Sequence, residues 1–111
     1  MIERRKNART DLALRVYFVC LSEDGRETTQ DVGTVLNISE SGLMLETPVP
    51  ILTKAIKIMA SLQEKSGLEV MAELIYSMQL APDKIRSGLS FTGDPDQVQR
   101  FVAGLRGFIN N

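Results

Sequence analysis

The sequence contains no histidine, and Cys20 is its one cysteine. Without histidine, a Ser-His-Asp triad, an imidazole general base and the common zinc ligand sets cannot be assembled. The acidic residues are dispersed through predicted turns and exposed strand positions, so we expect no metal site and no catalytic constellation. The composition therefore favours a binding protein without a cofactor over an enzyme.

Long apolar runs are also missing from the chain. No stretch approaches the length of a membrane span, and the charged N-terminus lacks the apolar run of a secretory signal. A single cysteine cannot form an internal disulfide, and Cys20 lies in an alternating apolar segment where we expect a core residue. These absences favour a cytoplasmic, reducing location without membrane insertion.

Positive charge is concentrated at the N-terminus. The net charge is −1 over 111 residues, but the first ten residues hold four cations against one anion and carry +3, which leaves −4 for the remainder. A general nucleic-acid surface would need a positive face spread over the domain, so nucleic-acid binding is not expected. A small anionic ligand engaged by one basic arm fits this charge distribution better.

Short alternating segments make up most of the chain. Apolar residues recur at every second position in residues 12–20, and similar segments follow after polar or proline-containing turns. This spacing is typical of an antiparallel barrel or sandwich. A hydrophobic share of 43% in a chain of this length predicts one domain with one core. The later segments cover residues 31–36, 42–47, 56–62, 68–76 and 85–91.

The end of the chain changes to a helical spacing. Asp94 can cap a helix with Pro95 at its first position, and apolar residues then recur at helical intervals. This helix, over about residues 95–109, is expected to cover one side or opening of the barrel. Arg100 and Arg106 lie on its other face, where we expect ordinary solvent-exposed charges.

A basic motif near the N-terminus is the first candidate for a binding site. Arg5 and Arg9 form an R-x-x-x-R pattern, with Arg4 and Lys6 beside them. A guanidinium group can bind a phosphate through two parallel hydrogen bonds, or cover both acceptors on the Hoogsteen edge of guanine. A solvated basic terminus is the ordinary interpretation of the same residues, and the motif alone does not decide between the two.

The second candidate is an N-x-S-x-x-G motif formed by Asn37, Ser39 and Gly42. The asparagine amide supplies donors and an acceptor, and the serine adds a short hydroxyl. The glycine permits a positive φ or a close approach of the backbone to a ligand. The same residue types dominate ordinary turns, and a plain turn between two strands is the alternative interpretation.

The order of these motifs resembles the PilZ domain, the receptor module for cyclic di-GMP. The basic motif precedes the first strand, and the second motif leads into an apolar strand over residues 42–46. Residues 72–76, which end in Tyr76, and residues 86–91 are similar to later strands of the family, so the resemblance covers nearly the whole chain. The resemblance implies a mainly β fold: an antiparallel six-stranded split β-barrel with a C-terminal α-helix.

The resemblance also implies roles for individual residues. Two of the arginines would contact phosphate and the Hoogsteen edge of guanine, a third would be an additional basic ligand, and the second motif would contact the other guanine from the barrel. The ligand-binding residues implied for cyclic di-GMP are Arg4, Arg5, Arg9, Asn37, Ser39 and Gly42. Asn37 stands where Asp is common, and Tyr76, where Trp is frequent, could be a stacking surface or a structural aromatic.

The resemblance also implies two parts of the chain with different roles. Residues 1–11 would be a flexible basic arm, and residues 12–111 would form the barrel with its helix. The ligand would order the arm across the barrel and change a surface that binds a protein partner, whose identity the sequence does not specify. The main alternative is a PilZ-like protein-interaction adaptor that binds no nucleotide.

Overall fold

The computed structural model describes residues 8–62 and 65–109, so Arg4 and Arg5 lie outside the described residues. Six antiparallel strands close into a barrel in the order β1, β2, β3, β6, β5, β4, and one helix follows. This architecture confirms the fold class expected from the sequence. The elements are β1 (Thr10–Leu21), β2 (Glu27–Ile38), β3 (Gly42–Thr47), β4 (Ala55–Leu62), β5 (Lys65–Ala81), β6 (Lys84–Phe91) and α1 (Pro95–Ile109).

The barrel is filled by the apolar side chains of alternating strand positions. In β1, Leu14, Val16 and Phe18 point inward and are at most 8% exposed, while Arg15 and Tyr17 between them face outward. The same alternation in the other strands buries side chains such as Val35, Leu45, Ile56, Ile58 and Val70. The buried position of Cys20 confirms its expected place in the core.

Two strands are longer than their sequence patterns predict. β2 begins at Glu27 rather than residue 31, because the first residues pair with β1 while every side chain from 27 to 30 stays exposed. β5 continues past Tyr76 to Ala81 and returns into β6 through a two-residue connection. Residues 75–80 of β5 are all exposed, so the alternating Tyr76, Met78 and Leu80 lie on the solvent side and this end of the hairpin is held by its pairing with β6.

α1 closes the fold at one side of the barrel. The Asp94 carboxylate accepts a hydrogen bond from the Gln97 amide at 3.2 Å, which caps the first turn. Phe101 and Leu105 are fully buried against the barrel, and the Phe101 ring meets that of Phe91 edge to face at 6.1 Å between centroids. No helix in the described part of the chain is long and apolar enough to cross a membrane.

Candidate functional site

A row of paired residues crosses four strands on the outer face of the barrel. Asn37 of β2 pairs with Met44 of β3, Met44 pairs with Gly88 of β6, and Gly88 pairs with Tyr76 of β5. Directly paired residues of antiparallel strands share one face of the sheet. Leu43 and Leu45 of β3 are buried, so Met44 between them faces outward. The residues paired with Met44 share this face, so the whole row lies on the outside of the barrel.

The two sequence motifs meet at one end of this row. Arg9 lies just before β1, and its Nη1 donates a hydrogen bond to Oδ1 of Asn37 at 3.0 Å. The strand pairing explains the contact, because Asp11, two residues after Arg9, pairs directly with Asn37. The structure therefore brings together one arginine of the basic motif and the first residue of the N-x-S-x-x-G motif.

Ser39 shapes the turn between β2 and β3. Its backbone N–H donates to the Gly42 carbonyl at 2.8 Å, and its hydroxyl accepts a bond from the Ser41 N–H at 3.3 Å. The Ser39 hydroxyl also lies 3.3 Å from that of Ser41, and the residue is only 7% exposed. Its hydroxyl is thus already engaged inside the turn, as in an ordinary serine turn.

Gly42 allows two strands to approach each other closely. Its φ is not positive, since among the described residues only Gly25 and Gly67 have a positive φ. A Cβ atom on Gly42 would overlap the Leu89 carbonyl oxygen and lie 3.1 Å from the Leu89 carbonyl carbon. The close approach that the glycine permits is therefore between β3 and β6.

A shallow pocket of about 200 Å³ lies over the outer row. Tyr76 forms one wall, 46% exposed, with its ring above Gly88: a Cβ there would lie 2.5 Å from the ring Cε2. Because pockets for drug-sized ligands start at roughly 300 Å³, this one has room for about one base. The residues that line it include Arg9, Ser39, Gly42, Ile75, Tyr76 and Ser90.

Arg106 is not the solvent-exposed helix charge that the sequence predicts. Its Nε donates to Oγ1 of Thr10 at 3.1 Å, its Nη2 donates to the Ala8 carbonyl at 3.0 Å, and its Nη1 lies 3.6 Å from Oε2 of Glu40. The prediction is wrong because these partners come from the arm and from the turn, far from the helix in sequence. Arg106 also lines a wider groove of about 880 Å³ between the turn and α1, which adjoins the pocket at Ser41 and Ser90.

The charges beside the outer row are balanced. Glu46 of β3 lies 3.9 Å from Nε of Arg86 and 4.0 Å from Nζ of Lys84, measured from its Oε2. Two cations thus accompany Glu46, and Asp11, which pairs directly with Asn37, adds a second carboxylate beside the row. Within residues 8–62 and 65–109, no three potential ligands of the His, Cys, Asp and Glu types converge on a metal site.

Sequence reasoning missed Ser41, Ile75, Gly88, Ser90 and Glu40 as neighbours of the site. Two of them occupy the unspecified positions of the N-x-S-x-x-G motif, where the pattern allows any residue. The others belong to β5 and β6, whose place beside β3 depends on the strand order of the closed barrel. Gly88 pairs with the aromatic Tyr76, and a glycine inside a strand can indicate a site of close approach. This signal becomes usable only when the register of β5 and β6 is known.

Several solved structures have a similar fold. The PilZ domain of CeSA from a cellulose-synthesizing bacterium has a TM-score of 0.64 and 20% identity, over 89% of this chain and 98% of that chain. The PilZ domain of YcgR from Escherichia coli, solved with c-di-GMP, has a TM-score of 0.60 and 15% identity, over 89% of this chain and 86% of that chain. At such identities the likeness shows the fold alone.

A longer protein contains a similar domain. The K. pneumonia MrkH complex with c-di-GMP has a TM-score of 0.64 and 17% identity, over 97% of this chain and 52% of that one, so the chain spans about half the length of MrkH. No curated protein sequence matches this chain. The family model of the PilZ domain matches residues 3–106, which is nearly the whole chain, and the protein therefore belongs to the PilZ domain family.

Proposed function

We propose that this protein is a cytoplasmic, non-enzymatic receptor for cyclic di-GMP. The observation that carries the proposal is the 3.0 Å bond between Arg9 Nη1 and Asn37 Oδ1, because it brings both motifs to one pocket on the outer face. The YcgR domain and MrkH, both solved with c-di-GMP, support this choice of ligand for a PilZ domain. The proposed ligand-binding residues are Arg4, Arg5, Arg9, Asn37, Ser39 and Gly42.

The chemistry of the pocket suits one guanine and its phosphate. The bond to Asn37 uses one donor of the Arg9 guanidinium. Two other donors of this group can bind a phosphate or the Hoogsteen edge of guanine. The exposed Tyr76 ring offers a surface on which a base can stack. The second half of the ligand would extend beyond the pocket, where Arg4 and Arg5 of the arm would contact it.

Arg9 and Asn37 also contact each other, so the ligand has to compete with this bond. The amide oxygen of Asn37 accepts a hydrogen bond from Arg9, and the same oxygen could accept one from the N1–H or the N2 amine of a guanine. Binding would replace a bond from the Arg9 guanidinium to a neutral amide by bonds to an anionic phosphate, in which both partners are charged. Ser39 and Gly42 would act by holding the turn in shape, with their backbone groups near the base.

Ligand binding would change a surface that already exposes apolar side chains. Ile75, Tyr76, Met78 and Leu80 of β5 are all between 46% and 61% exposed. A nucleotide and an ordered arm beside Tyr76 would cover part of this surface and add charge to it, which is the proposed signal to a protein partner. The same apolar strand favours the second candidate function, an adaptor that contacts a protein without any nucleotide.

Calorimetric titration with cyclic di-GMP, paired with a thermal-shift assay, distinguishes the two functions. A receptor should give saturable heat, and ligand at about 100 times its Kd should stabilise the fold by roughly 2.7 kcal/mol. Arg9→Ala and Asn37→Ala should abolish this response, yet both side chains bond only at the surface, so the unliganded stability should change little.

Arg26→Ala is the matched control, because Arg26 is an exposed arginine in the β1–β2 turn at the opposite end of the hairpin. This variant should bind cyclic di-GMP as tightly as the unaltered protein does. An unaltered protein that gives neither heat nor stabilisation with millimolar cyclic di-GMP would refute the receptor function and leave the adaptor.

A further inference from the structure

One arginine at the end of the helix contacts both halves of the proposed site. The Arg106 guanidinium donates to the Ala8 carbonyl at 3.0 Å and to the Thr10 hydroxyl at 3.1 Å, and it lies 3.6 Å from the Glu40 carboxylate. Its side chain is 29% exposed, so it is more sheltered than an ordinary surface arginine. Three partners in three directions use the fork geometry of the guanidinium group.

The partners of Arg106 surround the two motifs. Ala8 and Thr10 are the neighbours of Arg9 on either side, so Arg106 holds the backbone that carries Arg9. Glu40 lies inside the turn that starts at Asn37, between the second and third residues of that motif. We propose that Arg106 is a positioning residue for nucleotide binding, which holds Arg9 in place opposite Asn37 before the ligand arrives. This inference rests on the proposed function.

The physical basis of this role is preorganisation. A backbone segment that is fixed before binding loses less conformational entropy when the ligand binds. Without Arg106, the backbone of Arg9 would have to be ordered by the ligand itself, and ordering this one residue corresponds to about a tenfold loss of affinity. A lysine cannot replace the arginine, because one ammonium group cannot reach three partners that are spread around a planar fork.

Arg106 also links the site to α1. The last turns of α1 are anchored by Leu105, which is fully buried beside Arg106. Coupling between two sites is reciprocal. If Arg106 favours nucleotide binding by holding the arm, then a bound nucleotide should stabilise the contacts of Arg106 at the end of α1.

The test compares cyclic di-GMP affinity in Arg106→Ala, Arg106→Lys and the control Arg100→Ala. Arg100 is an exposed arginine on the same helix, so its removal changes the charge of α1 equally. We expect Arg100→Ala to bind like the unaltered protein and Arg106→Ala to bind about tenfold more weakly. Arg106→Lys should resemble Arg106→Ala, because restored charge without the fork does not restore the position of Arg9.

Glu40→Gln leaves Arg106 and its bonds to Ala8 and Thr10 in place, so it covers the case in which Arg106→Ala does not fold. Glu40→Gln removes the ion pair but keeps a hydrogen-bond acceptor at the same place, and a few-fold weaker affinity is expected. Equal affinity of Arg106→Ala or Arg106→Lys and the unaltered protein would overturn the inference. An equal loss in Arg100→Ala would also overturn it, because the effect would then be one of charge alone.

NMR of the free proteins separates the failure of this inference from the failure of the proposed function. In Arg106→Ala without ligand, the amide shifts of Ala8, Arg9 and Asn37 should move and the heteronuclear NOE of Ala8 and Arg9 should fall. These readouts do not involve cyclic di-GMP. If the unaltered protein does not bind the nucleotide, the receptor function fails, while unchanged shifts and NOE values in the free variant refute the positioning of the arm.

Discussion

Replacement of Gly42 by alanine should destabilise the barrel even though the change adds a single methyl group. The new Cβ would overlap the Leu89 carbonyl oxygen, and it would also lie 3.3 Å from the Ser90 Cα. These are backbone atoms of β6, which is paired with β3 on one side and β5 on the other, so they cannot rotate away as a side chain would. The strands must separate, and overpacking of this kind costs about 3 kcal/mol.

Urea unfolding followed by circular dichroism measures this cost. For a domain of this size a loss of about 3 kcal/mol corresponds to a decrease in Tm of roughly 12 °C. The m value should stay unchanged, because the same surface is exposed on unfolding. Gly107→Ala in α1 is the matched control, since no atom lies within 4 Å of its added Cβ. Both variants restrict the unfolded chain equally, and the helix variant should gain about 0.5 kcal/mol.

A Gly42→Ala protein as stable as the unaltered one would refute this reasoning. It would mean that β3 and β6 separate at little cost, and Gly42 would then be explained by the ligand rather than by the barrel. If the variant is destabilised as expected, a loss of nucleotide binding in it says nothing about a direct contact. Its binding must then be measured at a temperature where the variant is still fully folded.

Three further changes test the packing and the charges. Phe101→Ala should cost about 3 to 5 kcal/mol in urea unfolding, because the ring is fully buried, and a cost below about 1 kcal/mol would contradict its core position. Gly88→Ala should cost less than about 1 kcal/mol, because the exposed Tyr76 ring can move aside, and altered tyrosine fluorescence should report the displaced ring. The bond to Glu27 raises the pKa of Lys57, so the ion pair stabilises below pH 10.5 and this contribution is lost as the pH rises through the raised pKa. The stability of the unaltered protein relative to Lys57→Met should therefore fall by at most about 1 kcal/mol between pH 7 and a pH above the raised pKa of Lys57.

The residues whose environment is set by local pattern were predictable from the sequence. The alternation of Leu14, Val16 and Phe18 with outward residues depends only on the period of a strand, and the structure confirms their burial. Asp94 and Pro95 predict the start of a helix, because the capping bond from Gln97 to Asp94 joins residues only three positions apart. Barrel architecture with a C-terminal helix therefore follows from local rules and from the family resemblance.

The roles that depend on distant partners could not be predicted in this way. Arg106 has the spacing of a solvent-exposed helix position, and only the closed barrel brings Ala8 and Glu40 to it. Gly42 was expected to allow close approach to a ligand, but the backbone that approaches it belongs to β6. The sequence alternates through Met78 and Leu80, but these side chains are exposed, and the extension of β5 depends on its pairing with β6 rather than on burial.

The contact between Arg106 and Ala8 joins residues 98 positions apart, and this has a consequence for the order of events during synthesis. At about 5 to 20 residues per second, Arg106 leaves the peptidyl transferase centre roughly 5 to 20 s after Ala8. Arg106 follows all six strands in the chain, and Phe101 and Leu105 of the same helix complete the barrel core. The backbone on either side of Arg9 can therefore be held by Arg106 only after α1 has packed onto the finished barrel.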